Sequence, residues 1–130
     1  MIILTVRTDK PEAEIGLFSD SQQLGYETWE AHRQLAETIH SKIDSLLKDH
    51  GKSPHDIQGV ITFQGPGSFT GLRIGLSVTN ALSYALQVPH VGGQGENWIK
   101  DGTAELATAT GPSVVLPEYG APVHITTPKK

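Results

Sequence analysis

The sequence predicts an α/β fold, a mixed sheet with helices packed on it, and three observations predict it. Three short apolar segments lie between turn residues at the start of the chain. A segment of helical period separates them from a fourth apolar run, IQGVITF (57–63). A second helical pattern begins soon after that run, so the order reads β-β-β-α-β-α.

The first strand is expected at Ile2–Val6. Thr8-Asp9-Lys10-Pro11-Glu12 is turn chemistry, because Pro11 has no N–H for a ladder and Asp9 bonds local backbone. The second strand is expected at Ala13–Phe18, with Ile15 and Leu17 on one face. Ser19-Asp20-Ser21 makes the next turn. The third strand is read at Gln22–Trp29, with Leu24, Tyr26 and Thr28 sharing a face. Three strands in succession suggest an antiparallel meander. Leu35, Ile39, Ile43, Leu46 and Leu47 then lie at helical spacing, predicting a helix over about Ala31–Asp49. Gly51 and Pro54 punctuate its end. After IQGVITF, a helix is expected over about Ser68–Leu86, then a short strand near Val88–Val91. A helix over Glu96–Thr108 and a strand at Ser113–Leu116 complete the expectation. Gly120, Pro122 and Pro128 break the remaining tail.

Composition narrows the function classes. A chain of 130 residues fits one domain. Ten Lys+Arg against 14 Asp+Glu leave a net charge of −4, which is no nucleic-acid footprint. Were RNA touched, a partner is expected to supply most of the positive charge. There is no cysteine for a disulfide or a thiolate metal site. MIILTV lacks a basic leader, so no signal peptide is expected. No apolar run approaches the roughly 20 residues of a membrane span. The expected location is the cytoplasm.

The stretch that bears on function is GPGSFTGLRIG, Gly65–Gly75. A Walker loop needs a lysine after its second glycine, and none lies here. A dinucleotide fingerprint needs a third glycine where Thr70 stands. Two readings of the turn stay open. The first N–H groups of the helix, with Ser68 as N-cap, offer an anion site. Alternatively, the glycines only relieve crowding in a tight strand–helix turn. Along the helix, Gly71, Gly75, Thr79 and Ser83 recur every four residues, a row of small side chains that lets another helix come close.

These residues resemble the signature of the TsaB (YeaZ-type) family of bacterial tRNA threonylcarbamoyladenosine biosynthesis. The resemblance covers about Met1–Ile99 and includes VPHVGG (88–93). It implies an RNase H-like fold of the actin, hexokinase and Hsp70 superfamily, in domain 1–99. It implies a non-catalytic partner of a TsaD-type transferase, which modifies the adenosine next to the anticodon. It also implies a TsaE-type ATPase in the assembly, and a possible homodimer through the same helix face. Carried over as family motif and partner interface are Gly65, Pro66, Gly67, Ser68, Phe69, Thr70, Gly71, Leu72, Arg73, Ile74 and Gly75, with Thr79 and Ser83 from the small row. No catalytic residue, metal or cofactor is expected. The alternative is a small nucleotide-binding hydrolase using the glycine loop.

Two departures from the family pattern bear on this. Such sequences often carry Asp-Thr-Ser at the end of the first strand, where this chain has Arg7-Thr8-Asp9. They also carry a second domain, of which residues 100–130 are expected to be a short remnant. The histidines show no metal-ligand spacing, since His32 and His40 stand eight apart. Solvent-facing roles are expected for His50, His55, His90 and His124. Trp29 and Trp98 are expected as core or interface anchors.

Overall fold

The computed structural model describes residues 1–67 and 69–118. Three strands open the chain: β1 (Ile2–Arg7), β2 (Glu12–Ser19) and β3 (Gln22–Glu30). A 3-10 turn at His32–Gln34 leads into α1 (Leu35–Asp49). Then come β4 (Gly59–Phe63), α2 (Phe69–Leu86), β5 (His90–Gly93) and α3 (Trp98–Leu106). The strands form one sheet in the order β3-β2-β1-β4-β5. β1 runs antiparallel to β2, as a meander requires, and parallel to β4. β4 and β5 are also parallel, joined by α2 as the crossover.

β1 sits at the centre, and its alternating side chains serve two cores. Leu4 and Val6 join Ile15, Leu17 and Val60 under α1 and α2. Ile3 joins Phe18, Ile61, Phe63 and Val91 on the other face, under α3. That double burial explains why β1 and β4 read as unbroken apolar runs. α1 buries Leu35, Ile39, Ile43, Leu46 and Leu47, the set its helical spacing marked. Trp29 reaches α1 from β3, and its indole Nε1–H donates to Thr38 Oγ1 at 3.0 Å.

Two features differ from the sequence reading. Leu24 and Tyr26 lie on opposite faces of the sheet, not on one. The cause is an irregularity in the β2–β3 ladder: Leu17 pairs with Gly25 and Phe18 with Gln23, so Leu24 is an extra residue that resets the alternation. Ser113–Leu116 is extended but joins no strand. Its backbone groups bond the Asn80 and Gln64 side chains instead. The helix expected over Glu96–Thr108 is present as α3, Trp98–Leu106. It is packed into the sheet: Trp98 meets Phe63 edge-on with centroids 5.6 Å apart. Gly102 lies so near β4 that a Cβ would stand 2.6 Å from Ile61 Cγ2. The reading of the tail beyond Glu118 falls outside the described residues.

The α3 contact is testable. Gly102→Leu is expected to push α3 off Ile61 and to lower stability by about 1–3 kcal/mol, the usual range for overpacking. Urea denaturation followed by circular dichroism measures it. An unchanged midpoint would show that α3 is not part of the core.

Candidate functional site

The glycine-rich turn connects β4 to α2 at the end of the sheet where β1 also finishes. The Gly65–Pro66 peptide is cis, and Gly65 has φ +119, a value that side chains rarely adopt. A Cβ at Gly65 would overlap the Glu118 carbonyl, and one at Gly67 would overlap Asp9. The glycines thus admit two stretches of neighbouring backbone. Ser68, the expected N-cap, lies outside the described residues, and so does the Phe69 side chain. Pro66 and Thr70 are exposed, and Leu72 is buried in the α3-side core.

The small row is accounted for within the chain, which corrects the expectation that it admits another helix. Gly75, Thr79 and Ser83 are buried, and Gly71 is half-buried. What comes close is the end of β1. A Cβ on Gly75 would overlap Thr8 Oγ1. The Thr8 hydroxyl donates to the Gly71 carbonyl at 2.8 Å. Thr79 donates to the Gly75 carbonyl at 3.0 Å, and Ser83 to the Val88 carbonyl at 2.6 Å. Each hydroxyl is satisfied locally, as buried polar groups require.

The opposite side of α2 carries a second small row that the sequence reading passed over. Ser77, Ala81 and Ala85 are exposed, also four apart, in line with Arg73. Beside them Ile74, Val78, Leu82 and Leu86 are partly buried against the α1-side core. α1 presents Ala36, His40 and Asp44, again four apart and exposed. The two stripes face a shared groove. Its upper part, lined by His40, Arg73, Ser77 and Val78, encloses about 390 Å³. Its lower part runs on past Asp44, Ala81 and Ala85 toward Pro54. The i, i+4 spacing carried the signal for both rows. Only the packing of β1 on one of them says which row is outside.

The strand end carries a carboxylate that is already paired. Arg7 Nε donates to Asp9 Oδ1 at 2.8 Å and Arg7 Nη2 to Oδ2 at 3.2 Å, the two-pronged geometry of a guanidinium fork. The guanidinium also lies 3.9 Å over the Phe63 ring. The Asp9 hydrogen bond raises the Arg7 pKa beyond its ordinary value, against the opposing effect of burial. Nearby, the Tyr26 hydroxyl donates to Glu14 Oε1 at 2.7 Å. Burial, and then this bond, push the Tyr26 pKa up.

The histidines stay apart. Among the described residues no group of three or more His, Cys, Asp or Glu could hold a metal. His40 and His55 are exposed, and so is His50, whose Nδ1 lies 2.9 Å from the Leu46 carbonyl. His90 is a correction: it is 3% exposed, not solvent-facing. β5 turns it inward, where Nε2 lies 2.8 Å from Thr62 Oγ1. Burial lowers its pKa to about 4, with the Ser113 backbone pulling weakly the other way.

With this geometry in place, the relatives fall into one group. The family model described as TsaD, tRNA N6-adenosine threonylcarbamoyltransferase, matches residues 23–93. That is more than half of the chain, and the chain belongs to this family. Within the family its likeness is to TsaB/YeaZ-type members. The tRNA threonylcarbamoyladenosine biosynthesis protein TsaB of Escherichia coli (strain K12) is 29% identical over 121 residues, 84% of this chain and 49% of that protein. TsaB of Bacillus subtilis (strain 168) is 38% identical over 47 residues, 36% of this chain and 20% of that protein. The tRNA N6-adenosine threonylcarbamoyltransferase of Geotalea uraniireducens (strain Rf4) is 40% identical over 62 residues, 48% of this chain and 18% of that protein. This chain therefore spans half or less of the length of these relatives. The solved structure of YeaZ from Pseudomonas aeruginosa superposes with a TM-score of 0.67 at 25% identity, over 72% of this chain and 43% of that one. T. thermophilus RuvC, solved in complex with a Holliday junction substrate, gives 0.54 at 13% identity, over 95% of this chain and 85% of its own, and shows the fold alone. The RNase H-like α/β architecture expected from the sequence is the one present.

Two outcomes follow from the packing. Gly75→Leu is expected to unfold or strongly destabilise the chain, by about 3 kcal/mol or more, since the site has no room beside Thr8. A folded Gly75→Leu chain with a near-normal thermal midpoint would put the row back on the surface. His90 gives a pH signature. Folded His90 takes its proton only near pH 4, whereas the unfolded chain takes it near 6.5. The unfolded state binds more protons between those values, so stability rises with pH across the window. The contribution is complete above 6.5 and is lost as pH falls toward 4. Between pH 7 and 4 the wild type should lose roughly 3 kcal/mol more than His90→Gln. Denaturant titrations at several pH values give the difference, and parallel pH curves would refute the assignment.

Proposed function

We propose that the chain is a non-catalytic partner subunit, docking a TsaD-type transferase that threonylcarbamoylates the adenosine next to the anticodon in tRNA. The observation that carries this reading is the open groove between α1 and α2. Small side chains at Ser77, Ala81, Ala85 and Ala36 line or border it, and half-buried Ile74, Val78 and Leu82 give it an apolar floor. A partner helix pair set on this face would complete a helix bundle, and small residues let the backbones close up. The family motif contributes in two ways: Gly65, Gly67, Gly71 and Gly75 seat α2 on the sheet, and Thr70, Arg73 and Ile74 lie on the groove.

The non-catalytic part rests on the strand end. A carboxylate that is to hold a phosphate-bound metal must be available, and Asp9 is held by Arg7 in a fork. In this reading a TsaE-type ATPase joins the same assembly. Partners supply most of the tRNA contact, because this chain carries a net charge of −4. A homodimer through the same groove forms when the transferase is absent. A cytoplasmic location follows from the tRNA substrate. Among the described residues no helix is long and apolar enough to cross a membrane.

The purified chain should co-elute with its TsaD-type transferase at micromolar concentration. Ala81→Trp should weaken that association about tenfold or more, the scale of a disturbed interface centre. Its thermal midpoint should stay near wild type, because Ala81 is exposed. Failure to form any complex, or an unaffected Ala81→Trp, would overturn the docking face. Titration with ATP and Mg²⁺ is expected to give no saturable heat, and micromolar binding would overturn the non-catalytic reading.

A further inference from the structure

The segment Ser113–Glu118 crosses the sheet end away from the α1–α2 groove and is held as a peptide ligand is held. Asn80, on α2, reads one residue of its backbone from both sides. The Val115 N–H donates to Asn80 Oδ1 at 2.9 Å, and Asn80 Nδ2 donates to the Val115 carbonyl at 3.0 Å. Gln64, just after β4, reads the next residues: its Nε2 donates to the Leu116 carbonyl at 2.8 Å, and its own carbonyl accepts from the Glu118 N–H at 2.8 Å. One side chain goes inward. Val115 is 8% exposed, whereas its neighbours Val114 and Leu116 are 75% and 68% exposed. Val115 sits against Gly92 of β5, where a Cβ would stand 2.8 Å from Val115 Cγ1. Main-chain bonds plus a pocket for one side chain are how an extended peptide is recognised.

We propose that Gln64, Asn80 and Gly92 form a docking groove for an extended peptide, uncharged on either side of a central β-branched residue, and that residues 113–118 are its resident occupant. The resident defines the chemistry. Gly111–Pro117 carries no charge, and around it the groove presents side-chain amides, glycine and a histidine that is neutral at pH 7, with Glu105 also on its lining. Val115 is read by its side chain, while the exposed positions 114 and 116 beside it are free to vary. A tethered occupant works against competitors with an effective concentration of about a millimolar. An incoming peptide therefore gains the groove only when the resident strap lets go. This inference does not depend on the partner-subunit reading, since the groove lies apart from Ser77, Ala81 and Ala85.

The test uses the full chain and a fluorescent SVVLPE peptide. Val115→Asp places a charge in the Val115 pocket and should release the strap, which hydrogen exchange reads as lost protection of the Val115 and Glu118 amides. The peptide should then bind Val115→Asp at least about tenfold more tightly than wild type, and the added Asn80→Ala change should remove that binding. Val115→Gly is the second variant, for the case in which the charge lowers helix content. The proposal is overturned by persistent strap protection in both variants. It is equally overturned by no peptide binding up to about a millimolar, the tether's own effective concentration, or by binding that survives Asn80→Ala.

Discussion

The arrangement depends on one close approach, that of the end of β1 to the turn and first half of α2. Thr8 occupies the space a side chain on Gly75 would need, and Asp9 the space beside Gly67. The Thr8 hydroxyl ties the strand to the helix through the Gly71 carbonyl. A contact made by backbone and short side chains has few rotamers, so it fixes orientation more firmly than long side chains do. From it follows the roll of α2 about its own axis. Gly75, Thr79 and Ser83 must face the sheet, and Ser77, Ala81 and Ala85 must then face outward. The groove with α1 is a consequence of how β1 ends.

The same approach shapes the electrostatics. Bringing Asp9 under the turn removes its carboxylate from water, which costs free energy unless a cation accompanies it. Arg7 supplies that cation from the last position of β1, and Phe63 supports its flat face. The pair has its donors and acceptors aligned, the condition under which a largely buried ion pair is tolerated. An acidic residue at a strand end suggests a reactive site when read in one dimension. In three dimensions it is one half of a closed structural unit.

Most of the architecture was legible in the chain because each element carried a periodic signal. The α1 set Leu35 to Leu47 and the run through β4 are cases in which local pattern and burial agree. What escaped was information that only tertiary contact creates. The extra residue at Leu24 leaves no mark on composition, yet it sends Leu24 and Tyr26 to opposite faces. His90 looked like a loop histidine, because a four-residue strand is too short to show a period. The candidate site was legible as a motif but not as a surface. The glycines marked the right turn and helix, while the small row drawn from them was the buried one.

That reversal bears on how such a motif is to be understood. A row of small residues records that something comes close, without saying whether it is the chain's own strand or another molecule. Here the inner row is settled by Thr8 and the satisfied hydroxyls of Thr79 and Ser83. The outer row is exposed among the described residues, and it borders a half-buried apolar floor. Burying such a floor gains free energy in proportion to its apolar area, which is the physical basis of the docking proposed for it. The strap at Asn80 touches α2 from its other flank. One helix thus carries two unlike surfaces, an open apolar groove and a flank that bonds backbone, both aimed by the seat that Gly75 gives to Thr8.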